Sequence, residues 1–250
     1  EFKNFYDNPA VVFTNMGKIN TDNPCLSTQL VNTRSYTTLA TISKFPIGAG
    51  DTCLISMSGD KPIYGTFAFR AQETSGQKRC GLVTAGHVVS VGQYCYDKDF
   101  NPFGICSSRI VSTGNAEASF IPCGYLDEFN INNYIGGSSS SVLSTTTNKP
   151  GEGTYVNKYG ATTKRTGGYI QDIDCTVLSE DKTATFSDMT LVKCTADGGD
   201  SGGIVYTYIS KYNTRLTVGV VYGHPEKMGK NYLIYSKADN VLKALHLKRY

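Results

Sequence analysis

Residues 199–203, Gly-Asp-Ser-Gly-Gly, place Ser201 between glycines just before an apolar run that begins at Ile204. A serine hydroxyl is a weak nucleophile that needs a base to take its proton and N–H groups to stabilise an oxyanion. Glycines on both sides let the backbone approach a substrate closely. Alone, such a glycine-rich turn is usually only a turn, so a second signal is needed.

That signal lies at residues 82–89, Leu-Val-Thr-Ala-Gly-His-Val-Val, where His87 follows an apolar strand and a tight Ala-Gly turn. An isolated histidine is more often structural than catalytic. His87 is the only histidine in the first 223 residues, and it sits at a strand end, where catalytic groups tend to be displayed. The pair of segments therefore indicates a base and a nucleophile.

The rest of the sequence predicts an all-β protein. Short β-branched and aromatic runs recur between turn signals, as in a sandwich or barrel: Thr66–Arg70, Gly81–Thr84, Ala118–Ile121, Tyr155–Lys158, Met189–Lys193, Gly203–Tyr208 and Leu216–Tyr222. The spacing of apolar residues in Ser236–Leu247 predicts a C-terminal helix with Ser236 as its N-cap. Residues 136–147, rich in serine and threonine, are predicted to be an exposed connection between two halves.

Composition limits the partners. The chain has 250 residues, 18% of them charged, and a net charge of +3, with lysines and arginines scattered rather than clustered. We therefore expect neither a nucleic-acid partner nor binding to a membrane surface. No apolar run approaches the length of a membrane span.

The eight cysteines are typical of four disulfides and an oxidising compartment, which predicts a secreted, extracellular protein. The alternative is eight buried thiols. Metal ligation is a weaker interpretation, because the chain has no CxxC pair and only three histidines.

Together, Thr-Ala-Gly-His at residues 84–87 and Gly-Asp-Ser-Gly-Gly at residues 199–203 resemble the chymotrypsin-like serine peptidases. Residues 159–163, Tyr-Gly-Ala-Thr-Thr, and residues 194–203 are similar to motifs of the streptogrisin and α-lytic branch. The resemblance covers about residues 47–247. It implies two perpendicular six-stranded antiparallel β-barrels with a C-terminal helix: an N-terminal extension packed on the body (1–46), a first barrel (47–140) and a second (141–250).

The resemblance also implies roles for single residues. Ser201 attacks the scissile carbonyl, His87 carries the proton, and the N–H groups of Gly199 and Ser201 form the oxyanion hole. The acid departs from the family pattern, because Glu117 stands where an aspartate is expected, 30 residues after His87. A one-residue shift would put Ala116 there and leave a dyad; the competing acids are Asp97, Asp99 and Asp127.

Asp200 has a separate role by the same resemblance, since its buried carboxylate holds the oxyanion loop through an ion pair. Chymotrypsin itself uses a newly cut N-terminus for this, and Ile47 begins a similar segment here. The chain continues upstream through Pro46, and Lys158 occupies the position of the basic partner in the streptogrisin branch. We therefore expect Lys158 to pair with Asp200 without a cut at Ile47.

Four positions are expected to line the substrate pocket by resemblance. Thr195 at its floor replaces the aspartate of trypsin-like enzymes, so cleavage after lysine or arginine is not expected. Gly223 leaves room for a substrate strand, Tyr222 narrows the subsite beside His87, and His224 lies at the rim. These residues favour a medium-sized apolar residue at the cleaved position, with glutamate second.

The resemblance thus implies a secreted, monomeric serine endopeptidase with polypeptide substrates, protein inhibitors as further partners, and no metal or cofactor. One rival is an α/β-hydrolase esterase, since residues 199–203 also satisfy G-x-S-x-G. Another is a catalytically inactive binding protein on a protease scaffold. A third is a latent precursor whose first 45 residues block the cleft.

Local spacing and the family pattern also suggest cysteine partners. Cys175 and Cys194 flank a hairpin-like stretch, and the family's usual partner for Cys194 is missing after Ser201. We therefore expect that pair, and Cys95 with Cys106 by proximity. Cys25 is left for one of Cys53, Cys80 and Cys123, which would tie the N-terminal segment to the first barrel.

Overall fold

The structure is a computed structural model that describes residues 19–20, 46–58, 61–123 and 131–250. The elements of these ranges are β1 Ile19–Asn20, β2 Ile47–Ala49, β3 Thr52–Ser58, β4 Lys61–Thr66, β5 Phe69–Glu73, β6 Cys80–Thr84, β7 Tyr94–Tyr96, β8 Pro102–Ile105, β9 Ser108–Ile110, β10 Ala118–Pro122, β11 Ile131–Ile135, β12 Ser138–Thr147, β13 Tyr155–Gly160, β14 Lys164–Leu178, β15 Thr185–Lys193, β16 Ile204–Ile209, β17 Thr214–Pro225, β18 Leu233–Lys237, α1 Ala238–Ala244 and β19 Leu247–Arg249. The prediction of an all-β protein with a C-terminal helix is confirmed.

Strands β3–β10, together with the C-terminal β19, form two sheets. One has the order β19-β5-β6-β10-β9 and the other the order β4-β3-β7-β8. An isolated bridge between Gly104 and Cys123 links them. Phe67, Leu82 and Phe103 are buried together in one hydrophobic cluster of this region.

In the C-terminal half, six strands close into a ring by hydrogen bonding. The order is β16-β13-β14-β15-β18-β17, and β17 pairs back to β16. Val156, Val192 and Val218 fill the interior of this ring. The N-terminal half shows two sheets rather than one such ring, so the count of two six-stranded barrels stays a prediction.

Residues 136–147 were expected to be an exposed connection; all residues of 138–147 except Leu143 are exposed or partly exposed, but the stretch is a strand rather than a connection. Most of this stretch is strand β12, which lies antiparallel to β11 and parallel to β17. Its threonines are compatible with an extended strand, and Leu143 is buried in the core. The proposed boundary between residues 140 and 141 falls inside β12; the division into 1–46, 47–140 and 141–250 stays a prediction.

The C-terminal helix is shorter than expected. It spans Ala238–Ala244, and its N-cap is Lys237, which makes no side-chain cap hydrogen bond. Ser236 lies in β18 instead, where its buried hydroxyl is hydrogen-bonded to the backbone of Glu117. After the helix, Leu247–Arg249 forms β19 against β5. The residue predicted as the N-cap, Ser236, therefore makes a long-range contact instead of capping the helix.

Among the described residues, the seven cysteines are free thiols and no disulfide joins them. Cys175 lies opposite Met189, whereas Cys194 lies beside Gly168, seven residues earlier on β14. About 23 Å of strand separates the two positions, far beyond the reach of a disulfide, so that pairing is wrong. Cys95 and Cys106 are both buried but unbonded. Cys25 lies outside the described residues.

Candidate active site

The imidazole of His87 is oriented by a buried carboxylate. His87 follows the end of β6, and its Nδ1 lies 3.1 Å from Oε1 of Glu117. The backbone N–H of His87 donates to the same oxygen. A carboxylate at Nδ1 favours the tautomer in which Nε2 is free to accept a proton. Within the described chain, Nε2 has no hydrogen-bond partner.

Glu117 is placed by its neighbours as well as by the strand that follows it. Its side chain is 2% exposed. The hydroxyl of Ser236 lies 3.0 Å from its backbone nitrogen and 3.3 Å from its carbonyl oxygen. A Cβ on Gly86 would lie 2.8 Å from Oε1 and 2.4 Å from the carbonyl oxygen of Ile110, so this turn requires glycine.

The other candidate acids do not reach the imidazole. Ala116 is buried in the core beside Glu117. The carboxylate of Asp97 accepts hydrogen bonds within its own turn, from the backbone N–H groups of Asp99 and Asn101, each at 2.9 Å. Asp99 forms an exposed pair with Lys98. Asp127 lies outside the described residues. Among the described residues, Glu117 is thus the carboxylate against His87.

Ser201 reaches the same place from the other half of the chain. Its hydroxyl is 3.3 Å from the carbonyl oxygen of Tyr222, to which it donates. The ring of Tyr222 stands edge-on to the His87 imidazole, with centroids 5.7 Å apart and planes at 81°. No hydrogen bond joins Ser201 to His87 in this arrangement, and a rotation about the serine χ1 is the movement that could make one. Such bonds are often loose before substrate binds.

Asp200, next to the serine, is a buried anion with five donors. Nζ of Lys158 lies 2.8 Å from Oδ2, and the two side chains are 0% and 1% exposed. The other donors are the N–H groups of Thr162, Thr163 and Asp197 and the hydroxyl of Thr163, at 2.5–3.1 Å. A buried charge is tolerable only when it is paired and hydrogen-bonded in this way. The structure therefore pairs Lys158 with Asp200, as the sequence suggested.

The loop before Ser201 is held by its carbonyl groups. Thr162 Oγ1 donates to the carbonyl of Gly198 at 2.5 Å, and Thr66 Oγ1 donates to that of Gly199 at 2.7 Å. Because a trans peptide is planar, anchoring the Gly198 carbonyl turns the N–H of Gly199 to the opposite side. We find no acceptor among the described residues for the N–H groups of Gly199 and Ser201.

Solved structures share this arrangement of strands. Thermobifida fusca protease A superposes with a TM-score of 0.62 at 20% identity, covering 82% of this chain and 98% of its own. A Nocardiopsis protease gives 0.64 at 23% identity, covering 82% and 98%. A serine protease described as specific for glutamic acid gives 0.65 at 19%, covering 82% and 100%. The chain has the chymotrypsin-like serine protease fold. No protein-family model matches it, and no curated protein matches its sequence.

Within this protease fold, the predicted pocket residues differ in how far they are exposed to solvent. Thr195 is exposed, and its carbonyl accepts a hydrogen bond from Thr166. Tyr222 is 2% exposed, and its ring packs against Phe186 and the imidazole of His87. Burial and the nearby Glu117 raise the pKa of Tyr222, so its hydroxyl stays neutral.

The edge expected to receive substrate is partly occupied by the chain itself. Strand β1 pairs antiparallel with the end of β17, with Asn20 opposite His224 and Ile19 opposite Pro225. His224 was expected at the rim, but it is only 4% exposed. Gly223 is buried and lies opposite Ile234 of β18.

Sequence reasoning missed the residues that hold the site rather than react in it. Thr66 and Thr162 contact the loop before Ser201, and Ser236 contacts Glu117. Only Thr162 carried a usable signal, because it belongs to the Gly-Ala-Thr-Thr motif at residues 160–163. In the described residues, no helix is long and apolar enough to cross a membrane, and no cluster of three or more His, Cys, Asp or Glu could hold a metal.

Proposed function

We propose that this chain is a secreted serine endopeptidase, with Ser201 as nucleophile, His87 as general base and Glu117 as the orienting acid. One observation carries the proposal: His87 binds a buried carboxylate through Nδ1, leaves Nε2 free, and faces the residue to which Ser201 is hydrogen-bonded. A serine, a base and a buried acid in this relation are what acyl transfer requires.

In the reaction, Ser201 rotates from the Tyr222 carbonyl toward Nε2 and attacks the scissile carbonyl. His87 takes the serine proton, and Glu117 stabilises the imidazolium that forms. The free N–H groups of Gly199 and Ser201 bind the oxyanion, which is worth about 10²–10³ in turnover per donor. His87 then returns the proton to the leaving amine, and water releases the acyl group.

The pocket residues support a preference at the cleaved position for a medium-sized apolar side chain, with glutamate second. Thr195 brings no negative charge to the pocket. We place Gly223 and His224 beside the substrate strand. Polypeptides are the proposed substrates, protein inhibitors are further partners, and the monomer is the proposed state. Neither nucleic acid nor a membrane is a proposed partner.

The arrangement of strands helps to choose among the competing functions. An α/β-hydrolase needs a helix after the nucleophile, whereas Ser201 is followed by strand β16. An inactive binding protein on a protease scaffold remains the alternative, and it predicts no reaction at Ser201. Pairing of β1 with β17 favours a latent form of the same enzyme, because the paired edge includes His224, at the proposed substrate site.

The deciding experiment is labelling with a serine-directed phosphonofluoridate, read by intact mass. Wild type should gain one adduct, mapped to Ser201 by peptide sequencing. Ser201→Ala should gain none, and His87→Ala should react far more slowly, because the serine then lacks its base. An unlabelled wild type that is folded by circular dichroism would favour the inactive binding protein.

A further inference from the structure

The strands that carry His87 and Glu117 are neighbours, and each has a cysteine at the same far end. β6 and β10 pair antiparallel, with Gly81 opposite Pro122 and Thr84 opposite Ser119. One step beyond Gly81 and Pro122, the same register sets Cys80 opposite Cys123. The backbone N–H of Cys123 donates to the carbonyl of Cys80 at 3.0 Å, so the pairing continues to these residues.

Directly opposite residues of an antiparallel pair point to the same face of the sheet. Their Cα atoms are about 5.5 Å apart at a hydrogen-bonded pair, and a disulfide needs 4.4–6.8 Å. Sγ of Cys123 already lies 3.1 Å from the carbonyl oxygen of Cys80. Near the Cys80 thiol are Gln72 Nε2, at 3.5 Å from the sulfur, and the side chain of Tyr250.

Access distinguishes this pair from the other thiols. Cys80 and Cys123 are only partly buried, whereas the thiols of Cys53 and Cys95, which contact each other, are both fully buried. A dissolved oxidant can therefore reach the β6–β10 pair without opening the core.

We propose that Cys80 and Cys123 are a disulfide site that clamps β6 to β10. A low-molecular-weight disulfide such as oxidised glutathione is the oxidant. One protein thiolate attacks it, releases one glutathione thiol and forms a mixed disulfide, which the second cysteine then attacks to release the other. Two protein thiols are oxidised to one disulfide while one glutathione disulfide is reduced to two thiols.

The clamp has a consequence for the proposed active site. A slip of one residue between β6 and β10 would turn every side chain of a strand to the other face. Glu117 immediately precedes β10, and His87 follows β6 by three residues. Linking Cys80 to Cys123 fixes the register on which the contact between Glu117 and His87 depends.

Peptide mapping of the full chain tests the site without reference to activity. The protein is incubated with oxidised glutathione, alkylated, denatured and digested with trypsin. Cleavage after arginine and lysine gives a peptide 80–98, with Cys80 and Cys95, and a peptide 110–158, with Cys123 as its only cysteine. A link between the two is expected. It should vanish in Cys80→Ser and persist in Cys95→Ser.

Thermal melting gives the second measurement. The closed loop spans residues 80–123, so oxidation should raise the melting temperature by roughly 10 °C. Cys123→Ser should lose that rise, while the control Cys175→Ser should keep it. The proposal is overturned if Cys80 and Cys123 are both alkylated after incubation, or if the link persists in Cys80→Ser.

Discussion

Replacing Lys158 by methionine tests how the oxyanion loop is held. Lys158 Nζ is 2.8 Å from Asp200, and neither side chain is more than 1% exposed. Methionine keeps the length of the side chain but removes the charge. Because Asp200 immediately precedes Ser201, movement of its carboxylate would displace the N–H groups proposed to bind the oxyanion.

The size of the expected effect on activity depends on the hydrogen bonds that Asp200 keeps in Lys158→Met. Removing one member of a buried ion pair costs about 3–5 kcal/mol. Asp200 keeps four other hydrogen bonds, so we expect the lower end of that range, about 3 kcal/mol. If the loop bears this cost, kcat/KM falls about hundredfold, at roughly 1.4 kcal/mol per factor of ten. Because the loop then bears the cost, Lys158→Met should lose turnover far more than stability, and the melting temperature should fall by much less than the roughly 6–12 °C that 3 kcal/mol of unfolding free energy would give.

A matched control is the exposed ion pair that Lys230 makes with Asp197 of the same loop. Lys230 pairs with Asp197 at 2.7 Å, but the two side chains are 61% and 36% exposed. An exposed pair contributes at most about 1 kcal/mol, so Lys230→Met should lose little activity. The assay is kcat/KM on a peptide substrate together with thermal melting of all three proteins. Equal activity of Lys158→Met and wild type would show that something other than Lys158 holds Asp200.

Four further changes test the site. Ser201→Ala should abolish peptide hydrolysis without changing the melting temperature; undiminished turnover, with contaminants excluded, would disprove the nucleophile. Glu117→Gln should lower kcat by roughly 10³–10⁴ because glutamine favours the wrong imidazole tautomer, and equal kcat would remove Glu117 from the mechanism. Thr162→Val should cost about tenfold in kcat by releasing the Gly198 carbonyl, and Thr162→Ser should restore it; a defect in both variants would contradict this. Asn20→Pro should raise kcat/KM for short peptides, since proline cannot donate a backbone hydrogen bond to β17; no rise would mean that β1 does not compete with substrate.

Local sequence was enough to predict the parts of the site that depend on the backbone. The glycines around Ser201 determine the conformation of the backbone there. The buried strand before His87 does the same for the turn that carries the histidine. The contact between Lys158 and Asp200 spans 42 residues, yet it was predicted because the resemblance supplied the position of the basic residue. The strands of the second half were predicted because their alternation of apolar and polar residues is regular.

The errors share one physical cause, which is pairing between segments distant in sequence. Residues 138–147 have few apolar side chains, and they form a strand because the distant strand β17 supplies one of its partners. Serine is a residue type that favours the N-cap position, but the hydroxyl of Ser236 is hydrogen-bonded to the backbone of Glu117, 119 residues away. Cys175 and Cys194 are close along the chain, yet β14 is long enough to separate them. None of these partners is visible in a local window.

Glu117, which stands where the sequence resemblance predicts an aspartate, shows how such distant contacts determine the geometry of the candidate site. One oxygen of its side chain contacts both the backbone N–H and the ring of His87, so the imidazole is fixed at two points. Room for that oxygen exists only because Gly86 has no Cβ. The backbone of Glu117 is in turn held by Ser236. Glu117→Asp would shorten the side chain by one methylene, while Gly86 and Ser236 would keep the backbone where it is. The carboxylate would then no longer reach His87 in the same way, so Glu117 and its surroundings act as one unit.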